Sequence, residues 1–106
     1  SGATLRIEPG AVPRLPGAED TLRRGVLTKA HTTNTRYVAP HVAGRETLDE
    51  VGWWVLVDPQ TSGGLLLSVD PEEVDALLAH VRPRFPRTAI VGRVTAAGER
   101  ALVLEN

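Results

Sequence analysis

The residues best suited to chemistry are Asp58-Pro59-Gln60-Thr61-Ser62-Gly63-Gly64, a polar stretch between the apolar arms Trp53-Trp54-Val55-Leu56-Val57 and Leu65-Leu66-Leu67. Polar groups wedged between apolar arms mark a place where buried structure ends and a surface or cleft begins. Asp58 is able to accept backbone N–H groups, and Pro59 fixes its own φ while holding Asp58 away from helical geometry. Thr61 and Ser62 supply hydroxyls, and Gln60 supplies a donor and an acceptor. Gly63 and Gly64 permit positive φ and the close approach of another backbone or a ligand. Together they suit a small nest for an anion or for the edge of a neighbouring domain. The alternative is a structural turn whose side chains satisfy only its own backbone. The stretch is no Walker A loop, because no Gly-Lys-Ser/Thr follows, and it lacks the spaced glycines of a dinucleotide fingerprint.

Elsewhere the inventory is thin. His31, His41 and His80 are dispersed, no His-x-x-x-His spacing occurs, and there is no cysteine. No metal centre, disulfide framework or thiol nucleophile is therefore expected from this chain alone. Ser62 precedes a glycine, but position 60 is Gln, so the Gly-x-Ser-x-Gly setting of a hydrolase nucleophile is missing. No carboxylates are paired at a defined spacing for acid–base work. With 12 Lys+Arg against 13 Asp+Glu, the net charge of −1 gives no field that would draw the chain to nucleic acid or anionic lipid. The close basic sets, Arg23-Arg24 and Arg82-x-Arg84, do not make a nucleic-acid stripe. No apolar run approaches a membrane span and Ser1-Gly2 opens no signal pattern, so a cytoplasmic location and no membrane partner are expected. Lacking an initiating Met, the chain is expected to carry a tag remnant or to be part of a larger product.

Elements must position the polar stretch. A chain of 106 residues suits one domain but is short for an enzyme that must also build a deep pocket. Ala3–Glu8 alternates and predicts a strand with Leu5 and Ile7 inward, ended by Pro9-Gly10. Gly17–Arg24 predicts a short helix with Ala18 and Leu22 inward, stopped by Gly25. Lys29–Arg36 reads as a polar loop followed by an extended piece at Tyr37-Val38-Ala39. Such a long irregular segment in a small domain suits a binding or interdomain role, or packing alone. Residues 46–57 are ambiguous: Leu48, Val51 and Val55 recur at helical spacing, whereas Trp53–Val57 has strand propensity. The tryptophans read as core or domain-interface residues, since no basic stripe accompanies them.

Leu65–Val69 predicts a well-buried strand. Asp70 caps a helix with Pro71 in its first turn and Glu73 completing a capping box, and Val74, Leu77, Leu78 and Val81 form its apolar stripe for packing on a sheet. The helix stops before Pro83. Phe85 reads as an anchor between it and the final strands, Ala89–Val94 and Ala101–Leu104, which Ala97-Gly98-Glu99 would join as a hairpin. The fold class expected is α+β, a two-layer sandwich with helices packed on a small mixed sheet, in a single domain over residues 1–106.

Asp58–Leu66, which reads DPQTSGGLL, resembles the selenophosphate synthetase (selenide, water dikinase) family. Pro16-Gly17-Ala18, Thr32-Thr33-Asn34 before Tyr37-Val38, and Ile90–Val94 extend the resemblance over nearly the whole chain. One departure is Ala30-His31, where many members have a glycine pair. The resemblance implies a partial C-terminal domain of the fold shared with aminoimidazole ribonucleotide synthetase, and it favours a helix over residues 46–57. It implies a parent enzyme that uses ATP, selenide and water, with Mg2+, to make selenophosphate, AMP and phosphate. Members carry a catalytic Cys or selenocysteine, a Lys and metal-holding aspartates in an N-terminal domain absent here, and a core Asp-Val-Thr-Gly-Phe-Gly pattern also absent. The chain alone is thus expected to be inactive, with no catalytic residue or metal ligand of its own, and to work against the N-terminal domain of the same protein in a homodimer. Thr61, Ser62, Gly63 and Gly64 are the expected cleft-facing set, with Asn34 and Thr32 in an opposing loop. Asp58 and Gln60 would hold the turn in shape. A different enzyme of that ATP-binding superfamily, a noncatalytic binding or regulatory domain, and an assembly module docking through its apolar arms stay open.

Overall fold

The computed structural model describes residues 2–105. Four strands, β1 (Ala3–Ile7), β2 (Val42–Ala43), β3 (Gly92–Ala96) and β4 (Leu102–Leu104), form a sheet in the order β2-β4-β1-β3. It is mixed: β1 runs antiparallel to β3, with Leu5 opposite Val94, and parallel to β4, with Leu5 opposite Leu102, while β2 runs parallel to β4. Four helices accompany it: α1 (Ala18–Arg23), α2 (Lys29–Val38), α3 (Glu50–Leu56) and α4 (Val74–Val81). The α+β class and the mixed sheet are those expected.

The core forms where α3 meets the sheet. Asp49 caps α3 by accepting the Gly52 N–H at 2.7 Å, and Trp53 and Val57, four residues apart, present one apolar face. Both are buried together with Leu104 of β4, and Ile7, Val38, Val42, Leu48, Trp54 and Leu56 pack around them. The helical spacing therefore prevails over the strand propensity of Trp53–Val57, because a helix puts both residues on the sheet. α1 ends as predicted: the Gly25 N–H reaches Leu22 O and the Val26 N–H reaches Thr21 O, a Schellman closure that needs the left-handed φ of +79° at Gly25.

Several expectations are corrected. Lys29–Arg36 and Tyr37-Val38-Ala39 are not loop and extended chain; residues 29–38 form α2. Extended Thr28 starts it, and contacts to α3 hold its polar inner face. β3 and β4 are not a hairpin, since β1 lies between them, and the strand expected from Ala89 begins at Gly92. Within β1, Ile7 packs on the core as expected, but the fully buried residue is Thr4, and Leu5 is only half-buried. Its hydroxyl donates to Arg100 O and accepts the Gly98 N–H, both at 2.8 Å, tying the β3–β4 connection to the sheet.

The largest correction concerns residues 59–91, none of which is buried. Leu65–Val69 is not a strand: Leu65, Leu66 and Leu67 are 89%, 63% and 61% exposed. Strand propensity needs a neighbour to pair with, and no strand of the sheet pairs with this run. α4 forms behind Asp70, which accepts the Glu72 N–H at 3.0 Å, yet its stripe is only half-buried. Phe85 is exposed and anchors nothing.

Candidate functional site

α2 and the turn after α3 come together. On α2, His31, Asn34 and Thr35 stand three and four residues apart and so share a face. Asn34 Nδ2 donates to Val57 O at 2.9 Å, and Thr35 Oγ1 accepts from Trp53 Nε1 at 3.0 Å. Val57 is the C-cap of α3, so Asn34 satisfies one of the carbonyls a helix leaves unpaired at its end. Asn34 of the Thr32-Thr33-Asn34 stretch is thus tied to Val57, the residue immediately before Asp58–Gly64.

His31 adds a link that the dispersed histidines did not suggest. The ring is 4% exposed. Its Nδ1 accepts the backbone N–H of Thr28 at 3.1 Å, the place that Glu or Gln fills in a capping box. Its Nε2 lies 3.1 Å from Asp58 Oδ1. That pair is close but off the line of a straight hydrogen bond, and no other partner reaches the buried Nε2. The available signal was position: a histidine at the third residue of a capped helix, three before Asn34.

Within the turn, Asp58 Oδ2 accepts Gln60 Nε2 at 3.1 Å. The same Gln60 side chain lies over Gly63, where an added Cβ would stand 2.7 Å from Oε1. The Gln60 side chain thus links Asp58 to Gly63 within the turn. Neither Gly63 nor Gly64 takes the positive φ that an anion nest was expected to use. Thr61, Ser62, Gly63 and Gly64 are all exposed. Asn34 is a half-buried tie on a helix, and Thr32 is exposed on that helix beside it.

Thr32 and His31 also line a concavity of about 290 Å³ with Thr35, Arg45, Glu50, Trp53 and Trp54. The Arg45 guanidinium sits 4.7 Å from the centroid of the Trp53 ring, a cation–π contact. A hollow of about 300 Å³ by the β3–β4 loop, lined by Thr4, Arg6, Gly98 and Arg100 among others, includes none of the candidate site residues. No group of three metal-ligating side chains forms among the described residues, and no helix there is long and apolar enough to cross a membrane.

Comparison with known proteins yields one family. The chain is 43% identical over 105 residues to the selenide, water dikinase of Nitrosomonas eutropha, covering 99% of this chain and 30% of that protein. It is 40% identical over 107 residues to the selenide, water dikinase of Bdellovibrio bacteriovorus, again 99% of this chain and 30% of the relative. The selenide, water dikinase of Clostridium botulinum is 30% identical over 105 residues with the same coverage. No protein-family model matches the chain. By these relatives the chain is homologous to the selenide, water dikinases, and it spans about three tenths of their length.

Proposed function

We propose that the chain is the C-terminal part of a selenophosphate synthetase that converts ATP, selenide and water to selenophosphate, AMP and phosphate. The observation that carries the reading is the meeting of α2 with the Asp58–Gly64 turn, through Asn34 to Val57 O and His31 to Asp58. Helix α2 is thereby tied to the start of a turn far away in sequence.

In this reading an N-terminal domain of the same protein holds ATP and Mg2+ and performs the selenium chemistry, where cationic groups stabilise charge on the transferring phosphoryl groups. The parent is a cytoplasmic homodimer. No group of three ligands forms among the described residues here, so no metal step is assigned to this chain. Its own residues brace and cover the cleft: exposed Thr61 and Ser62 offer hydroxyls, Gly63 and Gly64 leave room for the reacting groups, and closure limits loss of intermediates to water. The chain alone is inactive. Exposed Leu65, Leu66, Leu67 and Phe85 are consistent with a docking surface for that N-terminal domain.

The test is Gly63→Val in the full-length enzyme. The branched side chain meets Gln60 Oε1, the far end of a flexible side chain at an exposed site, so folding is little affected. Selenide-dependent AMP production should fall well below wild type; equal activity refutes the role of the turn.

A further inference from the structure

We infer that His31 is a positioning residue: it fixes the Asp58–Gly64 turn relative to α2 while also capping that helix. The inference rests on the proposed function only for what the turn is used for.

The ring has two nitrogens with two different tasks. Nδ1 accepts the Thr28 N–H at 3.1 Å, so it carries no proton and the neutral imidazole bears its proton on Nε2. That N–H is buried and faces Asp58 Oδ1 at 3.1 Å. The two groups are in direct electrostatic contact at that distance, off the line of a straight hydrogen bond. The other oxygen of Asp58 accepts Gln60 Nε2, and Gln60 lies against Gly63. A continuous series of contacts therefore runs from α2 through His31, Asp58 and Gln60 to the glycine pair. Asn34 holds the preceding residue, Val57, from the same helix face. Among the described residues no side-chain hydrogen bond reaches the exposed segment Thr61–Gly64, and its link to α2 runs through this series of contacts.

Three substitutions separate the two tasks. Glutamine has an acceptor for the Thr28 N–H and a donor for Asp58. Glutamate keeps the acceptor and turns a second carboxylate toward Asp58. Leucine removes both. The chain labelled with 15N is compared by amide spectra. For His31→Gln, the α2 and the Gly63 and Gly64 resonances should overlay wild type. For His31→Glu, the α2 resonances should stay while Gly63, Gly64 and the Gln60 side-chain amide shift by more than a linewidth. For His31→Leu both sets should move; the Gln and Glu pair carries the test if this variant does not fold. Long-range imidazole spectra of the wild type should show Nε2 protonated and Nδ1 bare. A proton on Nδ1, or turn resonances that overlay wild type in His31→Glu, would overturn the inference.

The same pair in the full-length enzyme reads function separately. His31→Glu should lower selenide-dependent AMP formation by about tenfold, as a displaced positioning element does, and His31→Gln should leave it near wild type. If the turn resonances move and turnover does not, the positioning role stands and the proposed use of the turn falls. If turnover drops while the turn resonances stay put, the positioning role falls.

Discussion

Asn34→Asp is the sharpest probe of the junction between α2 and α3, because it keeps the shape of the side chain while putting a charged acceptor where the donor was. Asn34 Nδ2 gives its hydrogen to Val57 O at 2.9 Å, and Val57, the C-cap of α3, is buried in the core. A neutral hydrogen bond of this kind contributes about 1 kcal/mol net, and a carbonyl left without a partner adds to the loss. Asn34 is only half-buried, so water recovers part of that second cost. The new carboxylate also points at the negative end of α3, unfavourable by about 0.3–1 kcal/mol. The total is about 2 kcal/mol, which lowers the melting temperature of a domain this size by about 10 °C. Asn34→Ala loses the donor without gaining the charge and should fall about half as far. Thermal unfolding followed by tryptophan fluorescence reports it directly, since buried Trp53 sits on the same helix. An Asp variant melting within about 2 °C of wild type would refute the reasoning, and with it the tie between the two stretches.

Gly44→Ala should be among the most damaging substitutions: φ is +82° and the new Cβ would stand 2.1 Å from Leu104 O, a backbone atom of the sheet. The left-handed conformation and the overlap together cost about 2–5 kcal/mol, read as a large drop in the urea midpoint; an unchanged midpoint contradicts the packing of this corner. Trp53→Phe removes the donor to Thr35 Oγ1 and weakens the contact with Arg45, lowering stability by about 1–2 kcal/mol in the same titration. Leu66→Ser, at a residue 63% exposed, should change the stability of this chain by no more than about 0.5 kcal/mol. A larger loss would mean that the leucine run is packed after all.

What the sequence disclosed and what it hid have different physical origins. α1 and the turn into α4 carry their own boundaries: Gly25 at a left-handed closure, and Asp70 capping the 3-10 turn Pro71–Glu73 that leads into α4. Those signals act over three or four residues and need no distant partner. Strand pairing is the reverse. β1 joins β3 and β4 across roughly ninety residues of chain, and nothing local in Ala97-Gly98-Glu99 reveals that a strand from the other end will separate its two neighbours. Leu65–Val69 has all the local marks of a strand and no ladder to join. Its apolar pattern is a property of the residues, whereas its burial depends on what is placed against it.

The site divides along the same line. Asp58, Gln60 and the glycine pair were legible because their chemistry is local: a carboxylate, an amide two residues on and a glycine that leaves space for it. The opposing stretch was singled out through the resemblance but assigned to a loop, because Thr and Asn have low helical propensity and each of these residues looks outward-facing when read alone. The helix is stabilised instead by what its polar face touches, Val57 O through Asn34 and the Trp53 indole through Thr35. Those partners lie on α3, so α2 is a helix by virtue of tertiary contact. It follows that α2 and the turn are held by overlapping interactions, and that a change on either should be felt by the other. The histidine that departs from the family's glycine pair is where that coupling is most exposed to test, since its one ring reaches the cap of α2 and the first residue of the turn.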